Sequence, residues 1–167
     1  MSVQLIDARG EPVAERWQPA GAAATGATGR LLPLDGYLAH PPSPSLGVQL
    51  APDDDPARLA GRLHALPLVA IDFPLFADGR GYSLAALLRR AGYRAELRAT
   101  GEVLIDQLRM LARVGFSSFA LRADQKLADA RAALARFADP YQAAADLPLP
   151  AFRRQPRPAA TDHFTSR

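Results

Sequence analysis

The chain contains no cysteine. That absence excludes disulfides, thiolate nucleophiles, CxxC redox pairs, cysteinyl zinc sites and protein-ligated iron–sulfur clusters together. Lysine is almost missing too, with Lys126 alone among 20 basic residues. No apolar run approaches the ~20 residues of a membrane span, so no membrane partner is expected. Residues 1–7 have neither the basic start nor the apolar core of a secretory signal, and a cytoplasmic location is expected. His40, His64 and His163 have no carboxylate at ligand spacing, so the expectation is no metal and no cofactor. A basic face is missing as well. Residues 1–146 carry 16 basic and 16 acidic groups, and the net charge of +3 comes from Arg153, Arg154, Arg157 and Arg167 set against Asp162. The pI of 9.8 therefore belongs to a tail, and nucleic acid is not an expected partner.

What is present, 167 residues with 49% hydrophobic content, is enough for one core. The expected layout is a single α/β domain over 1–146 and a flexible, basic, Pro/Arg-rich tail over 147–167. Residues 1–45 read as an irregular N-terminal segment. Within it, residues 3–7 and 13–17 can pair as a β-hairpin, residues 21–29 are low in complexity, and Pro41-Pro42-Ser43-Pro44 is linker chemistry. Over 46–138 the texture changes to short apolar strands alternating with helices. Strands are expected at 46–50, 67–71, 95–99 and 118–121. Helices are expected at 56–66, from about Ser83 to Gly92, at 102–114 with Gly115 as the stop, and at 124–137. About four consecutive βα units imply a parallel sheet, either an open doubly wound sheet or half of a (β/α)₈ barrel. The half-barrel alternative implies a homodimer, because its edges need cover.

Both architectures bind ligands at the carboxyl ends of their strands. Those ends offer Asp72, Asp78 and Glu102 as candidate general acids or bases. They also offer Arg80, Tyr82, Arg98, Thr100 and Arg122 as ligand-binding candidates. A weak repeat of 23 to 24 residues sets Arg98 and Arg122 in equivalent places, which would make a paired guanidinium site for an oxyanion. The alternative is that both arginines form structural salt bridges with Glu96, Glu102, Asp72 or Asp124. The loop over 73–83 is long for a βα connection, and such loops often carry function. Its Gly79-Arg80-Gly81 is a tight turn rather than a phosphate-binding fingerprint. Asp106-Gln107 with Arg109 and Arg113 reads as a solvated or interface face.

The run Ile71-Asp72-Phe73-Pro74, Phe76, Asp78-Gly79-Arg80-Gly81-Tyr82-Ser83-Leu84-Ala85, followed by Gly92-Tyr93, Glu96-Leu97-Arg98-Ala99, Gly101, Asp106-Gln107-Leu108 and Gly115-Phe116, resembles the bacterial domain-of-unknown-function 934 family. The resemblance covers about residues 46–125 and extends loosely to Tyr141-Gln142 and to Phe152-Arg153-Arg154. It departs from the commoner pattern at Leu75, Ala77 and Val114, where Lys, Thr and Cys are usual. The resemblance implies a companion of assimilatory sulfite reductase and of the adenylyl-sulfate reductases, described as an oxidoreductase of sulfite reduction. With no thiol in the chain, an accessory or regulatory protein is expected, binding a small oxyanion or the reductase through the strand ends. An enzyme of the same pathway and a pure interaction module with a docking tail remain the alternatives.

Overall fold

The computed structural model describes residues 4–21, 28–136 and 140–154. Residues 22–27 of the low-complexity stretch at 21–29, residues 137–139, and residues 155–167 of the expected tail at 147–167 lie outside the described residues. Seven strands form one sheet: β1 (Gln4–Asp7), β2 (Trp17–Pro19), β3 (Gly29–Pro33), β4 (Leu46–Leu50), β5 (Leu68–Phe73), β6 (Glu96–Gly101) and β7 (Ser118–Leu121). Their spatial order is β1-β7-β6-β5-β4-β3-β2, and every neighbouring pair is parallel except β1 with β7. From β2 to β7 the order follows the chain with no reversal. A doubly wound sheet requires a reversal to clothe both faces with helices. Here successive right-handed crossovers keep the helices on one face, and the sheet curls into a half-barrel.

The helices are α1 (Leu34–Leu38), α2 (Arg80–Arg90), α3 (Leu108–Val114), α4 (Leu127–Ala135) and α5 (Ala151–Arg154). Strand alternation sorts the side chains between the two faces. Val69, Ile71 and Phe73 of β5 and Leu97 and Ala99 of β6 join Leu84, Leu88, Leu108 and Leu111 in the main core. The intervening Leu68 and Ala70 pack instead with Leu31, against Trp17, on the helix-free face. Burial on both faces explains why β5 reads as an unbroken apolar run.

The N-terminal residues are more regular than the sequence implies, because they supply both edges of the sheet. The expected hairpin forms only in part. Leu5 accepts a bond from the Val13 N–H, and Ile6 bridges Pro12, but Trp17 leaves for the opposite edge to pair with Gly29 in β2 and β3. Residues 8–16 therefore run from one edge of the sheet to the other across its helix-free face. Residues 11–13 cover the β1 edge, while β2 is three residues long and ends in Pro19. Both edges are thereby blunted from within the chain, which removes the reason for expecting a homodimer.

Helix boundaries differ from the sequence reading in four places, the first being α4, which spans Leu127–Ala135 rather than 124–137. Residues 56–66 form two short 3-10 turns, Pro56–Leu59 and Leu63–Ala65, because Gly61 between them turns left-handed at φ +80°. Helix α2 begins at Arg80 rather than near Ser83, its first N–H held by the Asp78 side chain at 3.0 Å. Helix α3 is preceded by a 3-10 turn, Ile105–Gln107, and ends as expected at Gly115.

Candidate functional site

Most of the candidate residues gather at the carboxyl edge of the parallel strands, in three groups. At the β5–α2 loop, Arg80 is gripped by Asp78, with Nε at 3.0 Å from Oδ1 and Nη2 at 2.7 Å from Oδ2, and by Asp53 after β4. The Arg80 hydrogen bond holds Asp78 below the ordinary carboxylate value, and Asp78 raises Arg80 further above its own. After β7, Arg122 reaches Asp124 at 2.7 Å through both Nε and Nη2, and Glu102 at 2.7 Å through Nη1. The bonds from Arg122 bring the Asp124 carboxyl down to about 2.

Between these networks lie Asp72 and Thr100, paired across β5 and β6 on the helix-free face. The Thr100 hydroxyl donates to the Ile71 carbonyl at 3.2 Å and stands 3.4 Å from Asp72 Oδ1. A cavity of about 290 Å³ opens there, lined by Pro33, Gln49, Ala51, Asp54 and Asp72. Burial pushes the Asp72 carboxyl above its ordinary 3.8, opposed by the weaker Thr100 contact. A carboxyl raised in the fold favours the folded state fully below its unfolded value, and that advantage is lost as pH rises through the folded value. Asp72→Asn is therefore expected to raise the melting temperature at neutral pH and to change it little below pH 3.8. Thermal scans across that range check the sign.

Tyr82 is half-buried in α2, its ring edge-on to Phe73 at 5.8 Å. Burial raises its hydroxyl above the ordinary value, and the Asp106 charge adds to the effect. Arg98 does not join the edge. It is 3% exposed in the middle of the helix-free face, with Nη1 on both Glu15 oxygens at 2.9 and 2.8 Å and Nη2 on Glu96 at 2.9 Å. The register pairs Arg98 with Ser118. Arg122 thus stands four residues further along the neighbouring strand, about 13 Å away at strand rise, and the expected guanidinium pair does not form. Glu15 escaped the sequence reading because it lies 83 positions from its partner, with no local spacing to betray it. Asp53 is equally remote from Arg80, 27 positions away.

The edge as a whole is acidic. After strands β4 to β7 the chain carries Asp53, Asp54, Asp55, Asp72, Asp78, Glu102, Asp106 and Asp124 against Arg58, Arg80, Arg122 and Lys126, so acidic groups outnumber basic ones there two to one. Among the described residues, no three His, Cys, Asp or Glu side chains converge to hold a metal ion. None of the helices among them is long and apolar enough to cross a membrane.

Residues 47–152 match the model of a family described as a bacterial protein of unknown function, DUF934. The chain belongs to this family. The DUF934 match runs from β4 into α5 and includes every candidate site residue; Glu15, the strap partner of Arg98, lies outside it. No curated protein and no solved structure matches the chain.

Proposed function

We propose that this DUF934 protein is an accessory or regulatory protein of assimilatory sulfate and sulfite reduction, acting in the cytoplasm by docking onto a reductase through the carboxyl edge of its half-barrel. The pathway comes from the family resemblance, and the geometry supports the mode of action. The observation that carries docking over small-oxyanion binding is that Arg80 and Arg122 are each already held by two carboxylates on an acidic edge. An oxyanion there would have to displace a carboxylate against a negative field. A partner surface rich in arginine or lysine meets the opposite condition.

The same edge carries an apolar anchor. Leu75 and Phe76 at the tip of the β5–α2 loop are 65% and 59% exposed, and Gln107 Nε2 fixes the tip by donating to the Phe76 carbonyl at 2.5 Å. An exposed aromatic side chain on a fixed backbone is the kind of anchor on which interface hot spots are built. Phe76→Ala is expected to weaken binding to sulfite reductase about tenfold, the scale of one lost hot-spot side chain. Affinity capture and titration against sulfite reductase, with adenylyl-sulfate reductase as the second partner, measure it. An unchanged dissociation constant for a folded Phe76→Ala protein would remove the docking reading.

A catalytic reading, as an enzyme of the same pathway, has the raised Asp72 carboxyl at its cavity in its favour. Sulfite-dependent turnover that vanishes in Asp72→Asn but survives Phe76→Ala would put that reading first.

A further inference from the structure

At the amino ends of the strands, away from the docking edge, lies a cavity of about 570 Å³. Arg89 from the last turn of α2, Arg94 from the loop that follows, Arg109 from α3 and Asp146 are among the residues that line it, three basic against one acidic. Gly115 and Ser117 line it as well. Arg89 donates to the carbonyls of Gly115, Tyr93 and Ala95, and Arg94 to those of Arg89 and Tyr93. Carbonyls satisfy N–H groups without cancelling charge, so two of the three positive charges are not neutralised by these contacts. Burial lowers the Arg89 pKa, and the neighbouring Arg94 charge acts in the same direction.

The one carboxylate is poorly seated. Asp146 lies between Arg109 and Arg113, one helical turn apart on α3, with its oxygens 3.0 Å from Arg109 Nη1 and 3.6 Å from Arg113 Nη1. Both Asp146 oxygens and Arg113 Nη1 are sealed from solvent without a well-formed hydrogen bond. A planar carboxylate spans part of the space between these cations. A tetrahedral anion presents acceptors in more directions and suits several converging guanidiniums better.

We propose that this cavity binds a tetrahedral oxyanion, sulfate or phosphate in type and either free or carried on a nucleotide, and that Asp146 is its built-in competitor. The anion takes the place of the Asp146 carboxylate against α3. Residues 140–154, which the Asp146 ion pairs help to hold against α3, are then loosened. Beyond this latch the segment is tied to α3 by the Ala145 N–H to the Arg113 carbonyl at 3.0 Å and by Arg113 Nη2 to the Gln142 carbonyl at 2.8 Å. Its bonds from Ala144 to Leu147, Ala151 to Tyr141 and Arg154 to Pro140 are internal and travel with it. It carries Tyr141, Leu149 and Phe152, each more than half exposed, so anion binding would change how these apolar groups are presented. The site stands apart from the docking edge and does not depend on it.

Calorimetric titration of the whole chain with sodium sulfate, sodium phosphate and ADP at low ionic strength tests the site. Saturable binding is expected. Asp146→Ala should tighten it about tenfold, because apparent affinity scales with the fraction of molecules whose site is unplugged. Arg109→Ala and Arg94→Glu should each weaken it at least about tenfold. Arg94 is exposed and its substitution leaves the core intact. Added anion should speed hydrogen exchange over residues 140–150 in the wild-type protein. Binding of the inorganic anions assigns a free ligand, and binding of ADP alone assigns a nucleotide-borne one. The proposal is overturned if folded Asp146→Ala protein shows no saturable binding of any of the three probes, or if Arg94→Glu leaves the affinity unchanged.

Discussion

Arg98→Ala is expected to cost about 2–3 kcal/mol of stability and to lower the melting temperature by about 5–10 °C, while Arg122→Ala changes the melting temperature little. The internal repeat makes the two arginines look alike, yet their surroundings differ. Arg98 is 3% exposed and is the cation on which Glu15 and Glu96 both converge, with Ser118 donating to the same Glu96 oxygen at 2.6 Å. Removing it leaves two carboxylates facing each other over a hole in the helix-free face. The cost falls below that of breaking a fully buried pair because Glu15 and Glu96 are 51% and 31% exposed and can turn to water. Arg122 is a half-exposed cation whose pairs are screened by solvent. Glu15 also sits on the segment that straps the two edges of the sheet, so Arg98→Ala should speed hydrogen exchange over residues 8–16. If Arg98 were instead a spare ligand-binding cation, its loss would leave both melting and exchange unchanged.

The contrast between these arginines shows what a sequence can carry. The strands β4, β5 and β7 are legible as short, mainly apolar runs closed by polar or glycine punctuation, β6 as an alternation of apolar and polar residues, and residues 46–50 and 118–121 keep their expected bounds. Gly115 is legible as a helix stop because only a residue at ease at φ +109° ends α3 there. Leu59, Leu63 and Leu66 also fall at helical spacing, but spacing says nothing of the left-handed turn at Gly61 that splits the segment. Strands β2 and β3 are illegible for another reason. Their partners are parallel neighbours, and β2 is only three residues long, too short to display a period. Apart from Arg98, the candidates gather at one edge of the sheet as chain order implies, because chain order decides which strand ends share an edge. Their charge partners were partly legible. Glu102 and Asp124 are named among the alternatives for Arg122, whereas Glu15, Asp53 and Asp146 become partners only through the curl of the sheet and the return of the chain onto α3.

Gly101→Ala is expected to destabilise the protein by about 3 kcal/mol, combining left-handed strain with overpacking, and to weaken reductase binding as well. Gly101 closes β6 at φ +88°, paired with Phe73. A methyl group there would lie 2.4 Å from the Phe73 carbonyl oxygen and 2.9 Å from Asp72 Oδ1. The carbonyl cannot swing aside cheaply, since it already accepts the Glu102 N–H at 2.7 Å. Relief has to come from moving the end of β5, and that end bears both Asp72 and the loop holding Phe76. Gly92→Ala is the matched control, because Gly92 has φ +94° with nothing within 4 Å of an added methyl. It should cost only about 1 kcal/mol of backbone strain and leave partner binding intact. Denaturant melts of the two variants separate steric displacement from strain, and titration against sulfite reductase shows whether the displaced strand end matters to the partner. Equal losses of stability in the two variants would mean that β5 yields freely at Phe73, and the tight positioning of the docking loop would have to be abandoned.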